Sequence, residues 1–167
     1  ESCMPVCRCT DRQAKSSTIA IVSHWSESQI GEAKLLRAGI AQAIADRGVT
    51  TIEYAPAPEY KEEDAFKTLT SAITQEVAGI VTTMPKSGYS SFIQSATSKK
   101  IPVYIIGGAD EQLLTPVRAL GLVNYIGQDE ADASTKVTDK LKVSGVTKVV
   151  CFIYDNTLES LSRRCDS

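Results

Sequence analysis

The sequence predicts an α/β chain built on an open parallel sheet with helices on both faces. Two observations carry this expectation. Short β-branched apolar runs, of the kind buried on both sides in parallel sheets, recur along the chain. Between them lie segments whose apolar residues recur at helical spacing, joined by short polar loops. Such alternation, connected by right-handed crossovers, sets successive strands side by side in one sheet.

Thr18-Ile19-Ala20-Ile21-Val22 is the first strand, and the polar stretch Ser23 to Gln29 leads out of it. Ala33, Leu36, Ile40 and Ile44 then recur at helical spacing, with Gly48 where a left-handed C-terminal cap is expected. Thr51 to Tyr54 reads as the second strand. Pro56 and Pro58 break the chain before a helix carrying Ala65, Leu69, Ala72 and Ile73. Ala78 to Thr82 is the third strand, followed by the loop Met84 to Gly88. A helix through Phe92, Ile93 and Ala96 ends at Lys99-Lys100, charges that suit the negative end of its dipole. Pro102 to Ile106 is the fourth strand, cut off by Gly107-Gly108, and Leu122 to Ile126 is the fifth, followed by Gly127. Ala133, Val137 and Leu141 mark another helix, and Val149 to Ile153 reads as a sixth strand.

The 167 residues fit one domain by length, and 43% hydrophobic with 23% charged residues excludes a mainly disordered or fibrous chain. Eighteen Lys+Arg against 20 Asp+Glu leave a net charge of -2, so nucleic acid is not an expected partner. No apolar run approaches the ~20 residues that cross a bilayer, and no membrane span is expected. Residues 1–17 have no apolar periodicity but hold Cys3, Cys7 and Cys9, and read as a tail tied down by covalent bonds. This clustering favours an oxidising compartment. The C-x-x-x-C-x-C spacing is not a common zinc pattern and lacks a fourth ligand, so disulfides rather than metal are expected. Cys151 and Cys165 flank a short segment and are positioned in sequence to bridge each other, a closure worth ~3 kcal/mol in the chain-entropy account. One of the five cysteines is then left over, either as a thiol or paired with another chain.

In open parallel sheets, ligands bind outside the carboxyl ends of the strands, where the connections diverge. That rule selects Ser23, His24 and Trp25 after the first strand and Thr83, Met84 and Pro85 after the third. It also selects Gly107, Gly108 and Asp110 after the fourth and Gln128, Asp129 and Glu130 after the fifth. Hydroxyl, amide, carboxylate and backbone donors with one Trp suit a sugar, whose hydroxyls donate and accept while its C–H face packs on an aromatic ring. Neither G-x-G-x-x-G nor G-x-x-x-x-G-K is present, so no nucleotide cofactor is expected. Ser23 and His24 are adjacent, but no G-x-S-x-G elbow surrounds them, and an enzyme is not expected. His24 has two readings, a loop side chain satisfied by backbone or a hydrogen-bonding ligand contact. Trp25 likewise reads as a packing residue or a stacking platform. Asp110 and Asp129 read as a turn residue and a helix N-cap rather than as paired catalytic carboxylates.

Several stretches together resemble the type I periplasmic-binding-protein fold, and more narrowly the simple-sugar substrate-binding proteins of ABC transporters. They are Ile19 to His24, Ala78 to Pro85, Ile101 to Val103, Tyr125 to Glu130 and Gly145 to Cys151, in a resemblance running from about Thr18 to Cys165. The resemblance implies a Rossmann-like sheet with flavodoxin-like strand order. It also implies two similar lobes that clamp a sugar, joined by three crossings of which the first falls at Gly127-Gln128-Asp129. Residues 1–17 would then be a Cys-rich tail, 18–127 the N-terminal lobe, and 128–167 the hinge with the first helix and strand of a truncated second lobe. The ligand contacts implied are Ser23, His24, Trp25, Thr83, Met84, Gly107, Gly108, Gln128 and Asp129. The chain departs from the family where Ile30, Gly31, Glu32 and Ala33 stand in place of stacking aromatics, and where Gly107-Gly108 replaces a polar residue. LacI-type repressors share the fold, but the Cys-rich tail before Thr18 does not resemble their DNA-binding helix-turn-helix. The function implied is a non-enzymatic, secreted or periplasmic protein that binds a small carbohydrate. The alternative is a structural or protein-interaction module that kept the scaffold and lost the sugar. A lone apolar strand of a second lobe needs a partner, so association as a homo-oligomer or with a different protein is expected.

Overall fold

Five of the apolar runs pair as parallel strands in a computed structural model, which describes residues 18–25, 31–54, 60–107, 109, 111–153 and 159–166. The strands are β1 (Thr18–Val22), β2 (Thr50–Tyr54), β3 (Gly79–Thr82), β4 (Val103–Ile106) and β5 (Val123–Ile126). Their spatial order is β2-β1-β3-β4-β5, so the chain reverses direction across the sheet between β1 and β3. The helices are α1 (Glu32–Arg47), α2 (Glu62–Thr74), α3 (Ser90–Ser98), α4 (Glu111–Arg118), α5 (Glu130–Val143) and α6 (Glu159–Asp166), with a short 3-10 turn at Ser87–Tyr89. The predicted Cys-rich tail, with Cys3, Cys7 and Cys9, and the residues Gly108 and Asp110 lie outside the described residues.

Strand alternation sends Ala20, Val22, Ile80, Val103 and Ile105 to one face. There they meet Ala65, Leu69, Ala72 and Ile73 of α2, Ile93 and Ala96 of α3, and Leu113, Leu114 and Val117 of α4. These side chains form the core, and each large one withdrawn from water contributes about 1.5–3 kcal/mol. The helix spacings read from the sequence in α2 and α3 are the buried stripes. At the end of α1, Gly48 adopts φ 61° and ψ 34° and its N–H reaches the Ile44 carbonyl at 2.9 Å, the left-handed cap predicted there.

The opposite face carries Ile19, Ile21, Val81, Tyr104, Ile106 and Ile126. α1 faces its β1–β2 half across a cleft of about 320 Å³ lined by Ile21, Glu53, Ile40 and Ile44. Toward β5 the cover thins, and Tyr104 and Ile126 are 42% and 63% exposed.

Three elements differ from expectation. α4 was not predicted, because Pro116 inside it removes a backbone donor and reads as a breaker. Burial of Leu113, Leu114 and Val117 at helical spacing overrides that local preference. α6 was also not predicted. The sixth strand predicted at Val149 to Ile153 does not form. This segment runs without regular structure, with Val150 and Phe152 exposed. A β-branched run becomes a strand only beside another strand, and among the described residues nothing pairs with this one.

α5 and α6 pack chiefly on each other. Asp129 caps α5, its Oδ1 accepting the Asp132 N–H at 3.0 Å, as the sequence predicted. Glu130, nearly fully buried, receives the Arg164 guanidinium through Nη2 at 2.8 Å and through Nε. Cys151 and Cys165 are joined by a disulfide with Cα atoms 5.7 Å apart, which ties the segment after α5 to α6.

Candidate functional site

The strand order reverses between β1 and β3, and open parallel sheets place their ligands in the crevice outside the carboxyl ends of the strands at such a point. Ser23 continues β1, its N–H donating to the Tyr54 carbonyl at 3.1 Å. Its hydroxyl is buried and accepts the Trp25 N–H at 3.0 Å, a local turn that fixes where the indole starts. The His24 N–H donates to Thr83 Oγ1 at 3.0 Å, and the Thr83 N–H to the Val22 carbonyl at 3.1 Å, so the ends of β1 and β3 are stitched together.

The indole of Trp25 then reaches across β3 to the end of β4. Gly107 has φ 85°, and a Cβ there would lie 2.5 Å from the Trp25 ring, so the indole rests where only glycine leaves room. The His24 ring stands 5.1 Å from Trp25, centroid to centroid, and meets Tyr60 edge-on at 6.3 Å. Beneath this layer Thr83 and Met84 are fully buried, and Pro85 is buried beside them. On the far side Gln128 is exposed and Asp129 is occupied as the cap of α5.

The residues after β2 belong to this edge as well. The hydroxyls of Tyr60 and Tyr89 lie 2.7 Å apart, and Lys86 Nζ donates to Glu62 at 3.0 Å alongside. Burial pushes the Tyr60 phenol up to about 12, opposed by its hydrogen bond with Tyr89. Burial first, then the Tyr60 bond, also raises Tyr89, so both phenols stay neutral well above neutral pH. The carboxyl-end rule applied to the second strand would have found Tyr60. Tyr125, inside β5 with its ring on the core side, is also at this edge: its hydroxyl donates toward the Gly107 carbonyl at 2.7 Å. Among the described residues, no group of three or more His, Cys, Asp or Glu is placed to hold a metal ion. No helix of the described chain is long and apolar enough to cross a membrane.

The fold is the type I periplasmic-binding-protein architecture, found in the sugar-binding proteins of ABC transporters. A carbohydrate transporter from Acidothermus cellulolyticus 11B, solved in complex with myo-inositol, superposes with TM-score 0.69 and 24% identity over 89% of this chain and 50% of its own. A chain named XylFII superposes with TM-score 0.66 and 25% identity, over 90% of this chain and 52% of that one. The periplasmic binding protein of an arabinose ABC transporter from Shewanella sp. ANA-3, bound to L-arabinofuranose, gives TM-score 0.62 and 20% identity over 89% and 48%. The chain thus spans about half the length of these solved structures. No protein-family model matches the sequence, and no curated protein matches it.

Proposed function

We propose that this chain is a non-enzymatic, secreted or periplasmic binding protein that recognises a small sugar-like ligand at the carboxyl edge of its sheet. Residues 18–127 are the ligand-bearing lobe in this reading, and 128–167 the hinge and the start of a second. One observation carries it: Trp25 is fixed across the strand ends by the Ser23 turn and the Gly107 backbone, an aromatic surface at the crevice. It stands in for the aromatics that the first helix lacks, with His24, Gly107, Gln128 and Asp129 around it as polar contacts. Likeness of fold to proteins solved with myo-inositol and arabinofuranose supports the ligand class.

Trp25 is the sole tryptophan, so its emission reports on the site directly. Titration with myo-inositol, L-arabinose and common hexoses at millimolar concentration is expected to give a saturable change with at least one of them. The same ligand stabilises the chain by RT ln(1 + [L]/Kd), about 2.7 kcal/mol at a hundredfold excess. Emission and melting curves that stay unmoved by every sugar would retire the proposal.

The alternative, an interaction module without sugar, is favoured by a specific feature. Tyr104 of β4, Ile126 of β5 and Val149, Val150 and Phe152 of the run after α5 present apolar side chains to solvent, where a parallel sheet is normally covered on both faces. Sedimentation at micromolar concentration is expected to give a homo-oligomer that Phe152→Ser weakens. A monomer for both proteins rules out self-association through this surface.

A further inference from the structure

The Tyr125 hydroxyl stands at a crowded junction of main chain. It faces the carbonyl of Gly107 at 2.7 Å, that of Ala109 at 3.2 Å and that of Gln128, while the Ala109 N–H points to it at 3.4 Å. A phenol carries one proton, so it serves these carbonyls in turn and cannot satisfy all of them at once. Gly127 packs against the same junction, where a side chain would collide with both the hydroxyl and the Gly107 carbonyl. The ring is held from outside by the Arg118 guanidinium, 5.9 Å from its centroid. Beyond the strands, Ala109 bridges to Asp129 as an isolated parallel contact, so the β4–α4 connection and the hinge run together here.

One phenol therefore touches the backbone on which the Trp25 indole rests and the backbone of the hinge. We propose that Tyr125 is a positioning residue whose hydroxyl couples the Trp25–Gly107 platform to the hinge residues Gln128 and Asp129. The inference rests on the ligand reading for its purpose, but the coupling itself is a property of the chain without ligand. A change at the hinge moves the Gln128 carbonyl, redirects the single proton and alters the hold on Gly107. Trp25, lying on Gly107, reads the change.

The test is a double-mutant cycle on the full chain, read by acrylamide quenching of Trp25 well below the melting temperature. Tyr125→Phe keeps the ring and removes only the hydroxyl. One net hydrogen bond shifts an opening equilibrium about two- to tenfold, and the rise in quenching is expected within that range. Asp129→Ala, which uncaps α5 at the hinge, is expected to change quenching when Tyr125 is present and to have no effect in the Tyr125→Phe background. A purely structural tyrosine would lower the melting temperature yet leave the two changes additive, and additive changes overturn the proposal. So does a Tyr125→Phe chain with wild-type quenching, while the exposed neighbour Asn124→Ala should behave as wild type. Failure of the wild-type chain to respond to myo-inositol, L-arabinose or hexoses sinks the ligand reading alone, and the cycle still decides the coupling.

Discussion

Gly127→Ala is expected to lower stability by about 3 kcal/mol, the sum of overpacking against fixed backbone and the loss of a hydrogen bond. The position has no positive φ, so strain in its own backbone is not the cause. A Cβ would meet the Gly107 carbonyl oxygen and the Tyr125 hydroxyl well inside contact distance, and the first of these belongs to main chain locked in the sheet, where the Gly107 N–H donates to the Ile126 carbonyl at 3.0 Å. Gly39 supplies the opposite case. It lies in α1 with open space around it, and Gly39→Ala should stabilise the chain by about 0.5–1 kcal/mol. Urea denaturation followed by circular dichroism separates the two, and a Gly127→Ala midpoint close to wild type with unchanged m would contradict the packing described.

Arg164→Met is the second large effect. Glu130 is nearly fully buried, and both its oxygens are satisfied by the guanidinium. Removing the cation strands a buried carboxylate, a loss of about 3 kcal/mol by analogy with broken buried pairs. Arg164 is itself 49% exposed, which places the loss at the low end of that class. The damage is expected in the α5–α6 pair, and the Cys151–Cys165 disulfide limits it by holding α6 near its site, so reduction should deepen the loss. The double variant Glu130→Gln/Arg164→Met should regain most of the difference, because no charge is then left buried. If Arg164→Met costs less than about 1 kcal/mol in the reduced protein, the pair behaves as an ordinary surface ion pair.

Much of this fold can be read from residue order. The β-branched runs at Thr18, Thr51, Ala78, Pro102 and Leu122 became strands because each had a parallel neighbour to pair with and a face to lay toward a helix layer. Val149 to Ile153 has the same apolar character, but none of the described residues pairs with it, a fact of tertiary structure that no local pattern carries. α4 was hidden by Pro116, although Leu113, Leu114 and Val117 hold a helical spacing that a moment-by-moment count would have exposed. At the candidate site the sequence identified the Asp129 cap. It could not tell that Thr83 and Met84 are fully buried, since burial depends on which elements cross above. The meeting of Trp25 with Gly107, and of Tyr125 with three separate carbonyls, likewise depends on strand order rather than on spacing.

The pairing of α5 chiefly with α6 divides the chain's cooperativity. Strands β1 to β4 share one core with α2, α3 and α4, so their amides exchange only when that core is lost. The α5–α6 pair, held to itself by Glu130, Arg164 and a disulfide, can open and reclose as a separate foldon without unfolding the sheet. Folding can then proceed in either order, and a nick or a slow step in the helical pair leaves β1, β3 and β4 paired in the sheet.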